Sequence, residues 1–132
     1  MTGFLKGSAT ALITPFTKDG VNFQALEKLM QYQIENGTDA LVVLGTTGEP
    51  ATMTEEEKES VIAFAVKYAK GKCKIIIGTG SNSTQKAVLA SKKAEEMGAD
   101  GVLAVTPYYN KCTQKGLVEY YAFCRRPLLP YG

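Results

Sequence analysis

The sequence has no histidine and no tryptophan, and only three cysteines among 132 residues. Without histidine, a His-based catalytic triad is impossible and a zinc site is not expected. Cys73, Cys112 and Cys124 are odd in number and lack CxxC spacing, which fits free thiols in a reducing compartment. No apolar run approaches the roughly 18 residues of a membrane span, and the first six residues lack a signal-peptide core. The expected location is therefore the cytoplasm. Charge of one sign is also lacking. Fifteen basic residues face 13 acidic ones, for a net +2, so neither nucleic acid nor a membrane is expected as a partner. The charges are scattered along helical patterns and read as solvated faces.

What is present is a set of four short apolar runs: Ala9-Thr10-Ala11-Leu12-Ile13, Ala40-Leu41-Val42-Val43-Leu44, Ile75-Ile76-Ile77 and Val102-Leu103-Ala104-Val105. They do not alternate with polar residues, the pattern of strands buried on both faces of a parallel sheet. Amphipathic helical patterns lie between them. Asn22 is placed to cap the first, with Leu26, Leu29, Met30 and Ile34 inward and Gly37 at its end. Thr54 with Glu57 forms a capping box before Val61, Ile62, Ala65 and Ala69, and Gly71 follows. Ser83 caps a third helix carrying Ala87, Ala90, Ala94 and Met97, ending at Gly98. Thr113 caps a fourth, with Leu117, Tyr120, Tyr121 and Cys124 inward.

The order is βαβαβαβα. Glu35-Asn36-Gly37-Thr38-Asp39-Ala40-Leu41 is echoed by Glu96-Met97-Gly98-Ala99-Asp100-Gly101-Val102, two units later. A repeated βα unit favours a barrel, although a doubly wound sheet repeats it too. A whole (β/α)₈ barrel takes about 250 residues, so the expected fold is α/β, four parallel βα units forming half a barrel over residues 1–124. Residues 125–132 carry Pro127 and Pro130, a poor continuation of a helix and a poor start to a strand, and are expected to be a divergent tail.

Barrel chemistry sits at the C-terminal ends of strands. After the second run comes Gly45-Thr46-Thr47-Gly48-Glu49-Pro50, where glycines admit close backbone approach and two hydroxyls suit a small carboxylate or a proton relay. From this segment alone a polar turn and a site weigh equally. After the third run, Gly78-Thr79-Gly80-Ser81-Asn82-Ser83 lacks the third glycine of GxGxxG and the Gly-Lys-Ser/Thr of a P-loop, so a turn leading into a helix cap is favoured. After the fourth, Thr106-Pro107-Tyr108-Tyr109-Asn110-Lys111 places two phenols near the mouth. One can relay a proton if a hydroxyl partner is in reach, and aromatic packing accounts for the other. Lys111 reads as an exposed loop residue.

Taken together, these loops and Thr10-Ala11-Leu12-Ile13-Thr14-Pro15-Phe16 resemble the dihydrodipicolinate synthase (4-hydroxy-tetrahydrodipicolinate synthase) family over residues 6–122. The resemblance implies a lyase of lysine and diaminopimelate biosynthesis. In it, pyruvate forms a Schiff base with a lysine, and the enamine attacks L-aspartate 4-semialdehyde, with no cofactor and no metal. It implies Thr46 as the relay hydroxyl, Thr47 with Gly48 as the pyruvate carboxylate site, and Tyr109 as a relay tyrosine reaching a neighbouring subunit. The positions of Glu55, Lys58, Asn82, Lys86 and Tyr108 match the family's lysine-inhibition site in altered form. The family's Schiff-base lysine, arginine and second tyrosine follow later strands and have no counterpart here. Tyr131 lacks the motif that would give it the last of these roles. The expectation is a truncated synthase, inactive by itself and self-associating. The alternatives are N-acetylneuraminate lyase or another pyruvate-dependent aldolase of the superfamily, and a non-catalytic half-barrel fragment. A flavodoxin-like nucleotide domain is disfavoured, because Thr14-Pro15-Phe16-Thr17 is no phosphate fingerprint.

Overall fold

The computed structural model describes residues 6–125. Four parallel strands, β1 (Ala9–Ala11), β4 (Ala40–Val43), β5 (Lys74–Gly78) and β6 (Gly101–Leu103), form one sheet in the order β1-β4-β5-β6. Helices α1 (Phe23–Glu35), α2 (Glu55–Ala69) and α3 (Thr84–Glu96) connect them, and α4 (Gln114–Arg125) follows β6. The register sets Ala11, Val42, Ile76 and Gly101 side by side. All neighbours are parallel, so the four βα units of half a barrel are present.

Each expected cap forms. Asn22 accepts from the Ala25 N–H at 3.0 Å, Thr54 and Glu57 make both bonds of the capping box, and Ser83 accepts from Lys86. The Gly116 N–H reaches the Thr113 hydroxyl at 3.1 Å. These bonds satisfy amides that helix geometry leaves without partners.

The main core lies between sheet and helices. Leu12, Leu41, Val43, Ile75 and Ile77 pack there against Leu26, Met30, Val61, Ile62, Ala65 and Ala69. On the opposite face Ala40, Val42 and Ile76 form a small separate cluster. Alternation across β4 and β5 thus sends apolar side chains to both faces, which is why these runs do not alternate with polar residues.

The helical stripe of α3 differs from expectation. Ala90 is exposed, and the buried position is its neighbour Ser91. Ser91 is tolerated inside because its hydroxyl donates to the Ala87 carbonyl at 2.8 Å and lies 2.9 Å from the Thr79 hydroxyl. Leu29, Met97 and Leu117 are only half-buried, and Tyr121 is exposed. Lys74 is the first residue of β5 rather than a residue before it. The sequence pattern also missed a small antiparallel pair, β2 (Phe16–Thr17) with β3 (Gly20–Val21). It turns at Lys18-Asp19, and Gly20 has φ of +125°. The tail, including Tyr131, lies outside the described residues except for Arg125, which ends α4.

Candidate active site

Parallel strands share one C-terminal end, so the loops after β4, β5 and β6 form one rim. The loop after β4 is a tight 3₁₀ turn, Thr46–Gly48, followed by a second, Pro50–Thr52. It is entered through Leu44 with φ of +57° and left through Glu49 with φ of +53°. Tyr109, after β6, has φ of +70°. Among the described residues these are the three non-glycine residues with positive φ, and all three stand on this rim. Strained backbone of this kind costs on the order of 1–3 kcal/mol per residue and concentrates at functional sites.

Several contacts hold the rim in shape. The Thr14 hydroxyl donates to the Gly48 carbonyl at 2.7 Å. A Cβ on Gly48 would lie 3.2 Å from that hydroxyl and 3.3 Å from the Leu12 carbonyl oxygen, so glycine lets the turn sit down on β1. The Thr79 N–H donates to the Leu103 carbonyl at 3.0 Å. The Asn110 side chain donates to the Asn82 carbonyl at 3.2 Å. A Cβ on Gly80 would stand 2.4 Å from the Val105 nitrogen, so that glycine is required by close backbone approach.

The predicted residues fall as follows. Thr46 and Thr47 are exposed on their turn and Gly48 is buried beneath them. Tyr109 is fully exposed at 101% and Tyr108 half-exposed at 53%. Among the described residues, the side-chain hydroxyls of Thr46, Thr47 and Tyr109 make no hydrogen bond. The topology therefore puts them on one rim, but no hydrogen-bonded relay joins them within the chain. Of the five candidate regulatory residues, Glu55 and Lys58 pair at 2.8 Å at the start of α2. Asn82 and Tyr108 stand on adjacent rim loops, and Lys86 is exposed in the first turn of α3. Lys111 is exposed, as expected for a loop residue.

Two residues that the sequence did not single out as functional prove structural to the rim. One is Thr14, buried beneath the Thr46–Gly48 turn. The other is Tyr120, whose hydroxyl meets Ser81 and Val105. Burial pushes the Tyr120 phenol up, against a smaller opposing effect of its hydrogen bond to Ser81, so it stays a neutral structural hydroxyl. A groove of about 270 Å³ lies elsewhere, between the β2–β3 hairpin and the start of α2, lined by Asp19, Phe23, Glu56 and Ser60. Burial there is shallow, and none of the predicted site residues lines it. Among the described residues no group of three His, Cys, Asp or Glu side chains gathers to hold a metal ion, and no helix is long and apolar enough to cross a membrane.

Comparison with known proteins agrees with this geometry. Residues 4–125 match the sequence profile of the Dihydrodipicolinate synthetase family. The 4-hydroxy-tetrahydrodipicolinate synthase of Alkaliphilus oremlandii is 53% identical over 116 residues, which cover 88% of this chain and 40% of that protein. The crystal structure of dihydrodipicolinate synthase from Aquifex aeolicus superposes with a TM-score of 0.88 at 51% identity, covering 93% of this chain and 42% of that one. The chloride-inhibited enzyme from Acinetobacter baumannii, solved in complex with pyruvate, gives a TM-score of 0.85 at 47% identity, covering 90% and 42%. The chain thus spans about two fifths of the length of the relatives it matches, and those two fifths are half of their barrel. This chain belongs to the Dihydrodipicolinate synthetase family.

Proposed function

We propose that this chain supplies the pyruvate-carboxylate subsite and the proton-relay groups of a 4-hydroxy-tetrahydrodipicolinate synthase, and that these 132 residues alone do not catalyse the condensation. The observation that carries the reading is the Thr46–Gly48 turn, a 3₁₀ turn between two positive-φ residues that leaves both threonines exposed at the strand ends. Pyruvate in the Acinetobacter baumannii relative supports the ligand class. The chemistry is that of the family: pyruvate condenses through a lysine Schiff base with L-aspartate 4-semialdehyde, on the way to lysine and diaminopimelate, in the cytoplasm.

Each residue has a role suited to its type. Thr47 and the backbone around Gly48 bind the pyruvate carboxylate. Thr46 and Tyr109 pass protons. A phenol with a pKa of about 10 is a weak base by itself and needs a hydroxyl chain to move its proton. Tyr109 is fully exposed on its own subunit, which suits donation of its hydroxyl to the site of a neighbouring copy in a homo-oligomer. The missing component is the amine. Lys58 is paired with Glu55, Lys93 meets Glu59 and Lys92 pairs with Glu96. Lys74 begins β5 and so lies at the end opposite the rim. Lys111 stands on the rim side but is exposed in an open loop, without the enclosing pocket in which a covalent amine works.

The test is pyruvate titration of the chain by amide NMR, followed by borohydride and intact-mass measurement. Shifts at the amides of residues 46–48 that vanish in Thr47→Val, with no covalent adduct, are expected. No shift at these amides would remove the carboxylate subsite, and a stoichiometric adduct on one lysine would overturn the claim of inactivity.

For the regulatory residues we propose that any full-length parent shows little feedback by lysine, because this half of it binds lysine poorly. Glu55 already pairs with Lys58, and Lys86 adds a second positive charge at α3, so a lysine ammonium meets repulsion rather than a free carboxylate. L-lysine titration of the chain should produce no shift at Asn82 or Tyr108; saturable shifts at both contradict the proposal.

A further inference from the structure

The Thr46–Gly48 turn is fixed at both ends by residues outside it. At its entry the chain leaves β4 through Leu44, whose carbonyl lies over Gly78 of β5; a Cβ on Gly78 would stand 2.0 Å from the Leu44 oxygen. At its exit the Gly48 carbonyl accepts from the Thr14 hydroxyl at 2.7 Å. Thr14 is buried, 4% exposed, and stands three residues beyond the end of β1.

The local sequence makes this donor stiff. Pro15 follows Thr14, and a proline ring confines the residue before it to extended backbone. Threonine branches at Cβ, which restricts its side-chain torsion. Both neighbours are tied down as well. The Leu12 N–H donates to the Val42 carbonyl at 2.9 Å, and the Pro15 carbonyl accepts from the Asn22 N–H at 2.8 Å. Leu12 is part of the main core, and alternation along extended chain puts Thr14 on the same side. The hydroxyl is thus delivered to one place. Gly48 comes down onto it, with its Cβ position 3.2 Å from the Thr14 oxygen and 3.3 Å from the Leu12 carbonyl oxygen.

The bond fixes more than one atom. The Gly48 carbonyl and the Glu49 N–H belong to one peptide unit, and that N–H donates to the Thr46 carbonyl at 3.1 Å. The Gly48 N–H donates to the Gly45 carbonyl at 2.8 Å. These two bonds close the turn. The first N–H groups of such a turn, those of Thr46 and Thr47, have no acceptor within it. Glu49 then holds φ of +53°, which a non-glycine residue keeps only where its surroundings over-determine it. We infer that Thr14 is a positioning residue for the carboxylate subsite. It touches no substrate and sets ligand affinity by holding the Gly48–Glu49 peptide through its hydroxyl. The inference rests on the reading of Thr47 and Gly48 as that subsite.

The experiment titrates pyruvate into the chain and into Thr14→Val, Thr14→Ser and Gly37→Ala, following the amides of residues 46–48 by NMR. Hydrogen exchange of each is measured without ligand. Thr14→Val keeps the shape and removes the donor, so the pyruvate Kd should rise about fivefold, the ratio that one net hydrogen bond is worth. Exchange at Gly48 and Glu49 should quicken by a similar factor, and by more than at Val61 in α2. Thr14→Ser keeps the donor and should restore both. Gly37→Ala strains the chain before β4, at the end opposite the rim, and should leave the Kd unchanged. Thr14→Ala serves in place of Thr14→Val should that variant not fold. No pyruvate shift in the unchanged chain removes the subsite, and this inference with it. A shift there with the same Kd in the folded Thr14 variants overturns the positioning role alone. So does a Gly37→Ala chain that binds as weakly as Thr14→Val, or exchange at Gly48 and Glu49 that the loss of the hydroxyl leaves unchanged.

Discussion

The Tyr120 hydroxyl accepts from the Ser81 N–H at 3.3 Å and lies 3.1 Å from the Ser81 carbonyl, across 39 residues of sequence. It also lies 3.2 Å from the Val105 carbonyl. One phenol on α4 therefore ties the turn after β5 to the chain leaving β6. Tyr120→Phe keeps the ring in its contacts with Ala87 and Cys124 and removes only the oxygen. The expected loss is about 1 kcal/mol, the net worth of a hydrogen bond, seen as a lower urea midpoint. The Ser81 amide should exchange faster in the variant; unchanged exchange there would show that the hydroxyl does not hold the turn.

The same region sets the response to high pH. Burial raises Tyr120 and Cys124, and raises Cys73 with a smaller contribution from the Asp100 charge. Ordinary values are about 8.5 for a thiol and about 10 for a phenol. With folded values above these, the stabilising contribution is complete below the unfolded values. It is lost as pH rises through the folded ones, because the unfolded chain releases its protons first. Denaturation midpoints should therefore fall from about pH 8.5 upward, and Cys124→Ala should flatten the fall. A midpoint constant to pH 11 would contradict it.

How much of this was legible depends on where each signal resides. The apolar runs of β4, β5 and β6 stand out in the sequence, and the position of β4 and β6 in the order placed Thr46, Thr47 and Tyr109 in loops after strand ends without any contact information. The caps at Asn22, Thr54 and Ser83 are local chemistry and could be read directly. The β2–β3 pair has two residues per strand, too short to show a period, and the Asp19-Gly20 pair was its one signal. Ser91 could not be found, because its burial depends on a hydroxyl arriving from Thr79 on another element. Thr14 and Tyr120 were hidden for the same reason, since their partners lie 34 and 39 residues away.

Gly78 and Gly37 separate two reasons for glycine. A Cβ on Gly78 would stand 2.0 Å from the Leu44 carbonyl oxygen, which is backbone and cannot turn aside. Gly37 has φ of +84° with nothing within 4 Å of its Cβ position. Gly37→Ala should cost about 1–2 kcal/mol, the left-handed penalty alone. Gly78→Ala should cost more, above the roughly 1–3 kcal/mol of ordinary overpacking, and should disturb the amides of residues 44–48. Thermal melts of the two variants check the order; equal losses would mean that the β4 loop yields to accommodate the methyl group.

Thr79 and Ser91 allow a sharper test of buried polarity. Thr79 is 5% exposed and Ser91 fully buried. The Ser91 hydrogen goes to the Ala87 carbonyl, so Thr79 is the donor in the 2.9 Å contact between the two hydroxyls. Ser91→Ala would strand the Thr79 donor at a cost of about 1–3 kcal/mol. Thr79→Val removes that donor and leaves Ser91 with its Ala87 bond, so it should cost less. In the double variant both polar groups are gone and a methyl replaces a hydroxyl at similar volume. It should then be no less stable than Ser91→Ala alone, giving a strongly non-additive cycle. Urea unfolding of the four proteins measures the coupling, and additive losses would show that the two hydroxyls do not depend on each other.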